Sequence, residues 1–200
     1  MPRYDIWAKP DENGDSLLDW ILRELVEVER EVDNRKAQTT MLIIDSKSIQ
    51  NADTAKVKGY DAGKKKAGIK LHIGVDVLGL PHTIMLTAAN VTDRDGAVKM
   101  ISYYCEATEN LDLLKKVLAD GGYTGEKFAE AIKSVSGAEV EVVKRNELHS
   151  FVVLPKRWIV ERSFGWLDKC RRLWKNCERL LHNSCQMISL AFIRLLLARY

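Results

Sequence analysis

Three carboxylates stand where chemistry is possible. Asp45 closes Met41-Leu-Ile-Ile-Asp45, a run of four apolar residues with strand character. An aspartate at the end of a buried strand is costly unless it is paired, caps the Ser46–Lys47 turn or binds a metal. Asp120 repeats the pattern, with Val117-Leu-Ala leading into Asp120-Gly-Gly, although Asp-Gly is also a turn dipeptide. Glu161 lies in Lys156-Arg-Trp-Ile-Val-Glu161-Arg-Ser-Phe-Gly-Trp-Leu167. At about 100° per residue it shares a helix face with Trp158 and Gly165, pointing toward apolar neighbours. Its other reading is an ion-pair partner of Arg157 or Arg162. Two strands and a helix bringing three carboxylates to one sheet edge would hold a pair of Mg²⁺ ions, since hard cations take oxygen ligands. Two such ions about 4 Å apart serve phosphodiester displacement. The four histidines, His72, His82, His149 and His182, are too scattered to compose an alternative site.

Charge distribution supplies the substrate class. The net charge is only +3. Residues 1–40, however, carry ten acids and six bases, a net of −4, which leaves +7 on the remainder. Lys56–Lys70 holds six lysines against Asp61, and Lys156–Arg179 holds eight bases against three acids. A single such run is usually a solvated face; two on one domain point to a polyanion. The candidate phosphate contacts are Lys64, Lys65, Lys66, Lys70, Arg157, Arg162, Lys169, Arg171 and Arg172.

The positioning elements follow from periodicity. Leu17, Leu18, Ile21, Leu22, Leu25, Val28 and Val32 mark an amphipathic helix of about four turns with an acidic outer face. That face suits docking on the main domain or on a partner. Asp15 or Ser16 is its N-cap. Ala55–Gly68 is too polar to pack and reads as a loop. Ile69–Val77 and Leu80–Leu86, separated by Leu78-Gly79, read as a hairpin. A helix over 94–106 follows, with Asp93 as its cap, while Asp76 precedes the hairpin turn. Next come a strand at 117–120, a helix opening at Thr124 and closing near Gly137, and apolar runs at 140–143 and 151–154. A long helix over 156–172 and a last one capped by Asn183 complete the chain. Strands entered antiparallel and then alternating with helices imply an α/β fold with a mixed sheet flanked by helices, the ribonuclease H-like order. The division is 1–40, a lead and acidic helix, and 41–200, the catalytic domain.

Several classes are excluded. Cys105, Cys170, Cys177 and Cys185 form no C-x-x-C, so a zinc site is not expected and reduced cytoplasmic thiols are. Met187–Ala198 is interrupted by Arg194 and followed by Arg199, too short to span a membrane, and residues 1–15 lack the apolar core of a secretory signal. Gly63-Lys-Lys-Lys-Ala-Gly68 is followed by Ile69 where a phosphate loop needs Lys then Ser or Thr. Trp158, Trp166 and Trp174 recur every eight residues, a stripe read as core or interface before base stacking.

The motifs together resemble the DDE transposases of bacterial insertion sequences, family five, related to family four. The resemblance rests on Ile43-Ile-Asp45-Ser-Lys-Ser-Ile49, Lys58-Gly-Tyr-Asp-Ala-Gly-Lys-Lys-Lys66, Leu71-His-Ile-Gly-Val-Asp-Val-Leu-Gly79 and Asn90-Val-Thr-Asp-Arg-Asp-Gly96. It continues through Ala119-Asp120-Gly-Gly-Tyr-Thr-Gly125, Val143-Lys-Arg145, Phe151–Leu167, Cys170-Arg-Arg-Leu-Trp-Lys175 and Glu178-Arg179, about residues 38 to 199. It implies a ribonuclease H-like catalytic core that cleaves and joins double-stranded DNA at element ends and in the target. Two Mg²⁺ ions, for which Mn²⁺ can substitute, would be held by Asp45, Asp120 and Glu161, and the chain would act as a homodimer on DNA near the bacterial nucleoid. Asp45 would bridge both metals. The wider signature of a tyrosine, an arginine, the glutamate and a later basic residue is met by Arg157 and Glu161. Leu154 stands at the tyrosine position, and Asp168 at the basic one, with Lys169 next to it. The front of the chain also departs from the family, which carries a helical end-recognition region there. Two other functions compatible with these residues are a nuclease of the same fold and a non-catalytic fragment that restrains full-length transposase.

Overall fold

The computed structural model describes residues 6–12, 14–108, 113–143 and 157–198, and of Arg157 the backbone alone. Ser16 starts α1 (Leu17–Val32) with a reciprocal capping box, its hydroxyl accepting from the Asp19 amide and the Asp19 carboxylate from the Ser16 amide. β1 (Met41–Gln50), β2 (Gly59–Asp61), β3 (Lys66–Val75) and β4 (Pro81–Ala88) come next, followed by α2 (Asp93–Ala107) and β5 (Lys116–Asp120). Then come α3 (Glu126–Ser136), β6 (Glu139–Val143), α4 (Arg157–Asp168) and α5 (Leu181–Leu197).

The strands make one mixed sheet in the order β2-β3-β1-β5-β6, with β4 on the same side of β3 as β2. β1, β3 and β4 are antiparallel neighbours, whereas β1, β5 and β6 run parallel. That is the ribonuclease H-like arrangement expected from the element order. Strand alternation divides the core between the two faces. Ile43, Ile69, Leu71, Ile73 and Leu118 pack with α1, α4 and α5; Leu42, Ile44, Val117 and Ala119 pack with α2 and α3.

Several elements differ from the sequence expectation. β1 runs past Ser46 to Gln50, because β3 pairs with it through Gln50↔Gly68 and satisfies its polar half. The 55–68 loop contains β2 and the start of β3. Thr92, rather than Asp93, caps α2, its hydroxyl accepting from the Asp95 amide, and this leaves Asp93 to Lys70. Gly125 precedes α3, and Gly137 ends it at φ 68°, a left-handed conformation that favours glycine. The long helix stops at Asp168 and gives way to a short turn of helix at Arg171–Leu173. α5 begins at Leu181, so Asn183 lies within its first turn. The 151–154 run, Lys156, His149 and Val143-Lys-Arg145 beyond Val143 lie outside the described residues.

α1 packs into the same core as α4 and α5. Leu18, Leu22 and Val26 share a core with Ile188 and Phe192 of α5. Its far end is tied by Arg30, which is buried and donates to the Lys36 carbonyl at 2.8 Å, the Gln38 carbonyl at 3.2 Å and the Asp76 carboxylate. Asp76 is fully buried at the hairpin turn and also accepts from the Leu78 and Leu80 amides. Burial raises the Asp76 pKa, but His82, the Leu80 amide and Arg30 outweigh it and hold the carboxyl below the usual range. Removing one partner of such a pair strands a buried charge. Arg30→Ala should therefore cost about 3–5 kcal/mol in urea unfolding; an unchanged midpoint would show that α1 docks through its apolar face alone.

Candidate active site at the edge of the parallel strands

Strand register brings the first two carboxylates together. In the parallel pair β1–β5, Ile43 is matched with Leu118. Two residues further along each strand stand Asp45 and Asp120, side by side on the face that carries Ile43, Leu118 and α4. Ligand sites of open α/β sheets lie off the carboxyl ends of parallel strands. Both aspartates are half-buried and line one small cleft whose walls include Ile43, Leu118 and Val160. One oxygen of each is fixed by the backbone, Asp45 Oδ1 accepting from the Ser46 amide at 2.7 Å and Asp120 Oδ1 from the Gly122 amide at 2.8 Å.

Glu161 is placed differently from the expectation. Ile159, Val160, Phe164 and Leu167 form the buried face of α4, and Val160 reaches the cleft. Glu161 is the next residue after Val160 and is exposed, turned about 100° away. Among the described residues, no three His, Cys, Asp or Glu side chains stand together at metal-holding distance. The structure thus joins Asp45 to Asp120 and sets Glu161 on the adjoining helix, one residue from their cleft.

The candidate phosphate contacts separate into three groups. Lys64 and Lys65 are exposed at the turn before β3 and Lys66 is exposed at its first residue; the Lys64 and Lys66 ammoniums reach the Ser46 and Ser48 carbonyls of β1 at 3.4 Å. Lys169 and Arg171 are also exposed, and Arg172, exposed too, pairs with Glu178 at 2.5 Å. Lys70 and Arg162 are corrections. Lys70 is 4% exposed on a strand paired on both sides, between Asp93 at 2.8 Å and Asp61 at 3.5 Å, and it donates to the Val91 carbonyl. Arg162 donates to the Leu78 carbonyl at 2.7 Å, with its guanidinium 4.6 Å from the Trp158 ring and 4.9 Å from the Trp166 ring. Both cations are engaged by contacts within the fold. The Arg157 side chain lies outside the described residues.

On the opposite face, the sequence reading missed a polar cluster behind Asp45. Ser46, Ser48, Lys70 and His72 project toward α2, where Asp93 and Tyr123 meet them. Tyr123 is 2% exposed, and its hydroxyl has no hydrogen-bond partner of good geometry. Burial, reinforced by Asp45, Asp93 and Asp120, pushes that phenol far above its ordinary range. Asp61 is held at about 2, chiefly by the hydrogen bond from the Ser48 hydroxyl. His72 is fully buried against Gly96, and burial lowers it to about 4. The available signal was period two: extending β1 past Ser46 would have put Ser46 and Ser48 on that face.

The site is thus a pair of half-buried carboxylates, Asp45 within β1 and Asp120 at the end of β5, at the parallel edge of a mixed sheet flanked by helices. The chain belongs to the transposase DDE domain family, whose model matches residues 36–196. It is 32% identical over 120 residues to a protein described as the transposase for insertion sequence element IS402 of Burkholderia cepacia. That match covers 58% of this chain and 56% of the relative, so it spans about half the length of that protein. The chain is also similar to the catalytic core domain of BIV integrase, at a TM-score of 0.42 and 12% identity over 79% of this chain and 84% of that one. No helix among the described residues is long and apolar enough to cross a membrane.

Two outcomes test the site's surroundings. Because the Tyr123 hydroxyl meets Ser46 without good hydrogen-bond geometry, Tyr123→Phe should change stability by less than about 1 kcal/mol; a larger loss would show that the phenol carries a full hydrogen bond. His72 stays neutral in the fold and charges in the unfolded chain between about pH 6.5 and 4. Stability should therefore decline as pH falls through that window, by up to about 3 kcal/mol from this group. An NMR titration of the His72 ring with a midpoint near 6.5 would contradict it.

Proposed function

We propose that this chain is the catalytic domain of an insertion-sequence transposase, which cleaves DNA strands and joins them to target DNA in a divalent-cation-dependent reaction. The observation that carries this reading is the register of β1 and β5, which sets Asp45 beside Asp120 at one cleft. The donor set fits the hard cation. It consists of carboxylate oxygens with one oxygen of each aspartate already oriented by a backbone N–H, and no imidazole or thiolate lines the cleft among the described residues. Asp45 and Asp120 would hold two Mg²⁺ ions, or Mn²⁺ in their place, with Glu161 as the third ligand after a side-chain or helix adjustment. Such cations, once bound, supply Lewis acidity, making the attacking oxygen more acidic and neutralising charge on the phosphate.

The chain's own residues supply position and charge. Lys64, Lys65 and Lys66, together with Lys169, Arg171 and Arg172, neutralise backbone phosphates on either side of the cleft and align the scissile phosphodiester with Asp45 and Asp120. No side chain acts as nucleophile. In the first step water attacks phosphorus, the bond to the 3′ oxygen breaks, and a 3′-hydroxyl is freed at the element end. In the second step that hydroxyl attacks a phosphodiester of target DNA, whose own 3′ oxygen leaves with a proton from solvent. One bond to phosphorus forms and one breaks in each step, so neither needs an external energy source. The partner is duplex DNA at element ends and in the bacterial chromosome, engaged by a homodimer.

Asp45→Asn should abolish cation-dependent strand cleavage while leaving duplex binding equal or tighter, because the change removes both a ligand and a negative charge near phosphate. A gel assay of nicking with and without Mg²⁺ checks this. Cleavage by the variant at the wild-type rate would reject the reading.

A further inference from the structure

Lys47 was not among the candidate phosphate contacts, yet it is the cation on the carboxylate face of β1. Side chains two apart on a strand share a face, so Lys47 follows Asp45 on that face at about 7 Å along the strand. Its ammonium lies 5.9 Å from the centre of the Phe164 ring and pairs with Asp168, the last residue of α4. The pair is solvent-accessible, the side chains being 32% and 58% exposed. An exposed ion pair of this kind contributes little, and a phosphate oxygen exchanges readily for the carboxylate.

Asp168 has a second tie. Its carbonyl accepts the indole N–H of Trp174 at 2.5 Å, which fixes a ring that is 65% exposed. An aromatic ring whose polar atom is satisfied and whose surface faces water is a stacking plate without an occupant in its own fold. It is flanked in sequence by Arg171, Arg172 and Lys175, all exposed. The segment is also pinned to the end of β1. The Asn176 amide donates to the Gln50 carbonyl at 2.8 Å, and the Asn176 side-chain amide donates to Asn51 Oδ1 at 2.8 Å. Lys47 and Trp174 are therefore both tied to Asp168, on a junction hydrogen-bonded to the end of β1.

We propose that this junction is a binding subsite for a single DNA strand leaving the cleft, in which Lys47 takes a backbone phosphate and Trp174 stacks on a base. Asp168 holds both in the unliganded chain, its carboxylate occupying Lys47 until phosphate displaces it. The subsite deepens the transposase reading and rests on it for the identity of the strand. Stacking on an exposed ring tolerates any base, so the subsite grips a strand without reading its sequence.

The test uses the full chain and a fluorescently labelled single-stranded oligonucleotide of about 15 nucleotides, by anisotropy at several salt concentrations, with circular dichroism to confirm folding. Lys47→Ala should weaken binding about fivefold and reduce the salt slope by about 0.7, the contribution of one single-strand phosphate. Trp174→Ala should weaken it about tenfold, with Trp174→Phe recovering most of the loss. Asp168→Asn should tighten binding about threefold in the wild-type background and give no gain beside Lys47→Ala, since the freed cation is then missing. Wild-type affinity in both alanine variants, or the same gain from Asp168→Asn with and without Lys47, would overturn the subsite. Failure of the transposase reading looks different: no cation-dependent cleavage by the wild-type chain, with these binding differences intact.

Discussion

Everything at the site depends on two like charges being held side by side. The pairing of Ile43 with Leu118 forces Asp45 and Asp120 onto one face of adjacent parallel strands, where neighbouring carboxylates repel. A shift of one residue in that pairing would send one of them to the α2 face. The register is therefore guarded on both faces of the sheet, by Ile43 and Leu118 against α4 and α5, and by Leu42, Ile44 and Val117 against α2 and α3. Backbone N–H groups from Ser46 and Gly122 hold one oxygen of each carboxylate, so orientation does not depend on a mobile side chain.

The rest of the molecule supports that edge. The antiparallel half of the sheet extends β1 beyond Asp45 and places Ser46, Ser48, Lys70 and His72 behind it, where Asp93 and Tyr123 enclose a polar layer. Lys70 balances Asp61 and Asp93 there, on the strand paired with the one that carries Asp45. α1 closes the other end of the hairpin through Arg30 and Asp76 and packs on α5.

Much of this was legible in the residues. The apolar runs ending in Asp45 and Asp120, the Leu78-Gly79 turn and the seven-residue stripe from Leu17 to Val32 each carry a local signal that the tertiary structure keeps. What was not legible was set by contacts distant in sequence. Nothing local says that Lys70 will lie between two carboxylates or that Arg162 will be sandwiched by Trp158 and Trp166 while reaching Leu78. A charge run read along the chain treats every cation as exposed, and β3 buries one. The orientation of Glu161 was not legible for a related reason. The helical wheel gives the angle between Val160 and Glu161, but which of them meets the sheet is decided by how Phe164 and Leu167 seat α4 on the core.

The central claim is that Asp45 and Asp120 form the cation-holding edge of a DNA strand-transfer site, with Glu161 as the third ligand. The direct measurement is an anomalous-scattering map from crystals of the chain grown with Mn²⁺. It should show density between the Asp45 and Asp120 carboxylates, with Glu161 brought within ligand distance, and no such density in Asp45→Asn crystals. Manganese bound elsewhere, or an unchanged peak in the Asp45→Asn crystals, would contradict the assignment.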